Sequence, residues 1–187
     1  MVQPLPLPTP MPIQLPTPVG VLEFVLEPAA IKAPPLSLRL AAFKPKLPQG
    51  MSVLASYAVL LKLQTLEPVV DLKFSARLIK PSSKGGASTG EGLEALEWED
   101  EGHVMLIGTE DREYLERRLP KAIVLPDEPV TCSSGGLSVH VASIPAGVPV
   151  SLHFVVAWNR LPERVAQSCW FAVDQNHTHL WKATVGI

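Results

Sequence analysis

The stretch Val69-Val70-Asp71-Leu72-Lys73-Phe74-Ser75-Ala76-Arg77-Leu78-Ile79-Lys80 decides the fold class. Val70, Leu72, Phe74, Ala76 and Leu78 alternate with Asp71, Lys73, Ser75 and Arg77. A period of two predicts a strand with one face in a core and the other in water. Antiparallel sheets permit that asymmetry, whereas parallel sheets are covered on both faces.

Upstream, Leu36, Leu38, Leu40 and Ala42 repeat the pattern against Ser37 and Arg39. In Ser52–Gln64, Val53, Ala55, Tyr57, Val59, Leu61 and Leu63 share one face, and Leu54, Ala58 and Leu60 lie on the other. That segment is expected as a central strand covered on both sides; its Ala and Leu content makes a helix the rival. Downstream, Leu137, Val139 and Val141 mark one strand, and Val150, Leu152, Phe154, Val156 and Trp158 another, separated by the turn sequence IPAGVP. SCWFAVD and THLWKATV read as two further short strands, with a turn at Asp174–Asn176.

Residues 109–120, TEDREYLERRLP, carry the best helix signal. Thr109 is a candidate cap, Asp111 lies near the positive helix end, Arg117 and Arg118 near the negative end, and Pro120 stops the helix. PSSKGGASTGEG, at 81–92, reads as a flexible loop. Seven to nine short strands with proline-rich connectors therefore predict an all-β protein. The expected form is an antiparallel β-sandwich or jelly roll with one short helix and an extended N-terminal arm.

The arm is residues 1–18, MVQPLPLPTPMPIQLPTP, and the sandwich domain residues 19–187. Seven prolines and no charge exclude a helix or a central strand and favour extended geometry. Leu5, Leu7, Met11, Ile13 and Leu15 offer apolar contacts, so the arm is expected against its own domain or a neighbouring subunit. The start lacks the basic residues and unbroken apolar run of a secretory signal. No eighteen-residue apolar run follows it, so no membrane span is expected. Cytoplasmic residence, alone or within a larger assembly, is the expectation.

The 187 residues are 47% hydrophobic and 18% charged, with 16 basic and 18 acidic side chains and a formal charge of -2. That balance argues against nucleic-acid binding by broad electrostatic attraction. Two cysteines, Cys132 and Cys169, are too few for a disulfide scaffold and suit small buried free thiols. Walker, dinucleotide-glycine, kinase-loop and His-Glu-x-x-His motifs are absent, and no family's characteristic residues match closely enough to transfer a function.

Two small-residue motifs invite chemistry. Gly86-Ala87-Ser88-Thr89-Gly90 formally matches a hydrolase serine elbow, but its upstream sequence is not a strand, so Ser88 reads as a loop residue. His177 and His179 would project to one side of an extended segment, making them weak metal candidates, with Asp174 nearby and His140 or His153 able to arrive from other strands. The pattern is incomplete, and neither a metal nor a cofactor is expected. Trp170 and Trp181 are candidates for a subunit contact or for stacking on a small ligand.

The leading expectation is a non-enzymatic structural or protein-interaction component, a homo-oligomer or a partner of another protein, using its arm or exposed strand edges. The alternative is a small-ligand or carbohydrate-binding sandwich using its tryptophans. A hydrolase is the third reading.

Overall fold

The computed structural model describes residues 12–27, 36–79, 86–90, 92–100, 102–161 and 168–185. Its chain order is β1 (Ile13–Thr17), β2 (Gly20–Glu27), β3 (Leu36–Ala42), β4 (Ala55–Gln64), β5 (Val69–Ile79), β6 (Gly86–Gly90), β7 (Leu93–Asp100) and β8 (His103–Glu110). After α1 (Arg112–Arg118) come β9 (Val130–Ser133), β10 (Gly136–Ile144), β11 (Pro149–Arg160), α2 (Ser168–Val173) and α3 (His177–Val185).

The strands form two antiparallel sheets, ordered β1-β2-β5-β10-β9 and β3-β4-β11-β8-β7-β6. Alternation along each strand decides what lies between them. Leu72, Phe74 and Ala76 of β5 meet Val59 and Leu61 of β4 and Leu152, Phe154 and Val156 of β11 in the main core. Phe154 sits at its centre, 4.8 Å from Phe74 and 6.0 Å from Phe24 between ring centroids. The other face of β5 is mostly polar, as its sequence requires, although Ser75 is buried and bonded to Ser138 at 3.0 Å.

Strand β4 is a strand and not a helix, and it is covered on both sides. Ala58 and Leu60, with Val155 and Ala157 of β11, form a second cluster outside the six-stranded sheet, closed by Cys169, Ala172, Val173 and Leu180. These closing residues are helical, which corrects two expectations. SCWFAVD and THLWKATV are not strands, and the described residues contain three helices where one was expected. Cys169, Ala172 and Val173 fall at spacings of three and four, so α2 lays one stripe on the sheet. Asn176 then caps α3, its Oδ1 accepting from Thr178 N at 2.9 Å.

Two smaller corrections follow. The helix α1 is capped by Asp111, which accepts from Tyr114 N at 2.9 Å, and not by Thr109, which is buried and donates to His153 O at 2.7 Å. Residues 86–90 form an edge strand rather than a loop, with Ser88 opposite Ala95. An elbow needs a strand-to-helix turn, so the backbone there excludes a Ser88 elbow. The arm boundary falls at the turn after β1, and Ile13 and Leu15 are buried in the chain's own core. Leu5, Leu7 and Met11 lie outside the described residues. No helix among the described residues is long and apolar enough to cross a membrane.

Candidate functional site

Where β8 and β11 run side by side, the second cluster gives way to polar side chains. Glu110 ends β8 and Ser151 and His153 begin the outer face of β11. Arg118 comes from the last turn of α1, and α3 contributes His177 and, one turn on, Trp181. Glu110, His153 and His177 are all buried.

The hydrogen bonds order these groups. Arg118 Nε donates to both carboxylate oxygens of Glu110 at 2.8 Å, and its Nη1 donates to Ser151 Oγ at 3.2 Å. Trp181 Nε1–H donates to His177 Nε2 at 2.7 Å. An indole nitrogen can only donate, so Nε2 is an acceptor and the ring proton of neutral His177 lies on Nδ1. That Nδ1–H donates to His153 Nδ1 at 2.7 Å, leaving the His153 proton on Nε2. Ser151 Oγ, already accepting from Arg118, lies 3.0 Å from the same His177 Nε2, in competition with the Trp181 donor.

Burial favours the neutral rings. It is the main reason His153 is held far below the ordinary histidine range, at about 3, with the Arg118 charge adding to it. His177 is also lowered to about 3, by burial first and then by His153 and Arg118, against the opposing pull of Glu110. The site thus holds one carboxylate–guanidinium pair and two neutral imidazoles.

Ligand atoms of Glu110, His153 and His177 lie within 4.8 Å of one another, close enough to ask whether they fit a metal ion. Two nitrogens on a tetrahedral ion at ~2.0–2.1 Å stand about 3.3 Å apart, wider than the 2.7 Å between the two Nδ1 atoms. Metal on Nδ1 would also move the His177 proton to Nε2, against the Trp181 donor. Both Glu110 oxygens already serve Arg118, whose positive charge would face the ion. As the side chains stand, the donor set is arranged for hydrogen bonding within the cluster.

Beside this cluster opens a cavity of about 230 Å³, lined among others by Thr109, Glu110, Tyr114, His153, Asp174 and Asn176. Its wall depends on Gly92, at φ +83°, which lies under the Tyr114 ring. A Cβ there would come 2.6 Å from Tyr114 Cε2, so both the backbone and the ring demand glycine. Gly92 N–H also donates to Asp111 Oδ2 at 3.0 Å, tying the wall to the cap of α1. Gln175 fixes the opposite side by bonding the Lys46 backbone, with Lys46 N–H donating to its Oε1 at 3.2 Å.

The weak metal pair is not brought together. His177 and His179 sit on a helix, where two residues subtend about 200°, so the common side expected of an extended segment is lost. His177 is buried, not an exposed turn residue, and its partner is His153. His179 Nε2 is buried without a partner among the described residues, and burial with the nearby Lys46 lowers that ring's pKa. His140 is on the other sheet, 3.5 Å from Asp71. Both candidate tryptophans are part-buried. Trp170 is half-buried over Gly90, where a Cβ would meet its ring at 2.5 Å, and Trp181 is committed to His177. Cys132 and Cys169 are free thiols.

Glu110, Arg118, Ser151 and Thr109 carried no sequence signal for this site, since no local motif links them. Comparison with protein-family models, curated proteins and solved structures returns no match, so a functional reading rests on this geometry.

Proposed function

We propose that the protein is a binding module whose helical cap holds a small polar ligand. One observation carries this reading: the cavity beside the buried Glu110 and His153 is lined mainly by polar side chains, including Asp174, Thr109 and Asn176. At about 230 Å³ it falls below the ~300–1,000 Å³ of common ligand pockets, which points to a compact hydroxylated or amino compound. The recognition surface in this reading is the cavity, and not the two tryptophans.

The test is a thermal-unfolding screen of small polyols, sugars and amines, with zinc and manganese in the same panel. A ligand at a hundredfold excess over Kd stabilises by about 2.7 kcal/mol, which at ~2–4 °C per kcal/mol raises the midpoint by roughly 5–10 °C. The shift should vanish in Asp174→Leu and Tyr114→Ala, and the metals should give none. A panel without any hit, or a hit that both variants keep, overturns the reading.

A second reading, a structural or interaction component that self-associates, is favoured by the sheet edges. The strand β6, Gly-Ala-Ser-Thr-Gly, closes the six-stranded sheet without the charge or proline that ordinarily blocks edge pairing. Concentration-dependent light scattering, compared with a Ala87→Lys variant, tests it: the variant should be the less associated.

A further inference from the structure

Ser151 is placed differently from the other polar residues of the cap. It faces outward on β11 with Val155 and Ala157, but directly across from it in register is Lys62, and across from Pro149 is Gln64. Lys62 and Gln64 are exposed, whereas Ala58 and Leu60, earlier on the same face, are buried under the helices. The cap therefore ends between Leu60 and Lys62, and Ser151 stands half-buried at its rim.

At that rim three groups needed for acyl transfer are already in order. A nucleophile requires a base within hydrogen-bond reach, and the base requires a partner that fixes its tautomer. Ser151 Oγ lies 3.0 Å from His177 Nε2, and His177 Nδ1 lies 2.7 Å from His153 Nδ1. A donor for the developing oxyanion is also present, because Arg118 Nη1 is 3.2 Å from Oγ and its guanidinium is held in place by Glu110.

We propose that Ser151 is a nucleophile toward small carboxylic esters, with His177 as its general base and His153 as a positioning residue. This activity goes beyond ligand binding in the neighbouring cavity and does not depend on it. Oγ attacks the ester carbonyl carbon as its proton passes to His177 Nε2, and the carbonyl oxygen takes up the negative charge beside Arg118. Burial disfavours charge on His177, so the imidazolium is transient, its Nδ1–H held by His153. The intermediate collapses by breaking the bond to the alcohol oxygen, which leaves with the proton from Nε2. Water then attacks the acyl-serine with His177 again as base, releasing the acid and restoring the Ser151 hydroxyl.

Trp181 is the brake in this arrangement. Its Nε1–H occupies the same Nε2 lone pair that must receive the serine proton. The resting protein is therefore expected to acylate slowly, and loss of the indole donor should free the base.

The experiment treats the full chain with a fluorophosphonate probe, in which Oγ displaces fluoride from phosphorus, and maps adducts by mass spectrometry. The expected result is a single adduct on Ser151, lost in Ser151→Ala and in acid-unfolded protein. In Trp181→Phe it should form about fivefold faster, the factor that one ordinary net hydrogen bond represents. Circular dichroism verifies that the variants are folded, and p-nitrophenyl acetate should give a matching burst. A folded wild-type chain without a Ser151 adduct after prolonged exposure overturns the proposal whatever Trp181→Phe does. So does labelling that Ser151→Ala retains in full, or a folded Trp181→Phe chain that reacts no faster.

Discussion

Phe154 has no solvent exposure and is in ring contact with Phe74 and Phe24, so all of its surface is committed to the space between the sheets. Truncating it, or Phe74, to Ala should cost about 3–5 kcal/mol, because neighbours on two hydrogen-bonded sheets cannot collapse into the gap. Denaturant unfolding measures this directly, and a loss below ~1 kcal/mol would place the ring outside a packed core. Arg118 poses the opposite kind of problem. It neutralises Glu110, whose side chain is only 9% exposed. Arg118→Leu strands that carboxylate and should destabilise by roughly 3–5 kcal/mol. The double variant with Glu110→Gln should recover much of the loss, since it leaves no uncompensated charge. A double-mutant cycle without coupling would show the pair to be unimportant.

At the scale of elements, α3 is held over the sheet partly by groups that resist protonation. The unfolded chain takes up protons on His153 and His177 near the ordinary value of 6.5, while the folded chain keeps both neutral down to about 3. Their contribution to stability is therefore complete above pH 6.5 and declines as the pH falls toward 3, by up to ~1.4 kcal/mol per pH unit for each ring. Glu94 and Asp174, whose carboxyls burial raises, act in the opposite sense with smaller shifts. The melting midpoint should fall steadily from pH 6.5 to 4.5, and His177→Gln should flatten that slope. An unchanged slope would mean that the rings are not buried together. The same element shows where sequence stops being informative. The two-residue period of β5 has a single solution, because polar residues mark every second position from Asp71 to Arg77. SCWFAVD lacks such markers, and its five-residue apolar run satisfies a strand or a turn and a half of helix equally well. A strand over α3 would turn His177 toward His179, whereas the helix turns it to His153. Glu110, Ser151 and His153 meet only because β8 and β11 are neighbours, a pairing set by topology and invisible in spacing.

The whole molecule is a sandwich with a third, helical layer on one sheet, and its open side is closed in part by its own N-terminal segment. The strand β1 pairs with β2 from Ile13–Phe24 to Thr17–Gly20 and forms the edge of the five-stranded sheet. Proline is acceptable there because an edge strand need not donate along its outer side, and among the described residues Pro16 faces no further strand. Ile13 and Leu15 are 7% and 5% exposed, so this part of the arm is core rather than a free contact surface. Removing residues 1–18 should then cost about 3–6 kcal/mol, the burial of two large aliphatic side chains. It also leaves β2, an eight-residue strand whose inner face holds Leu22, Phe24 and Leu26, as an unprotected edge. The shortened chain should melt earlier and associate more strongly as concentration rises, since a second copy can pair where β1 was. An arm that joined subunits would give the reverse, a stable body with weaker association. Light scattering and thermal unfolding on both lengths distinguish the two, and a truncated monomer of unchanged midpoint would reject the edge-strand role.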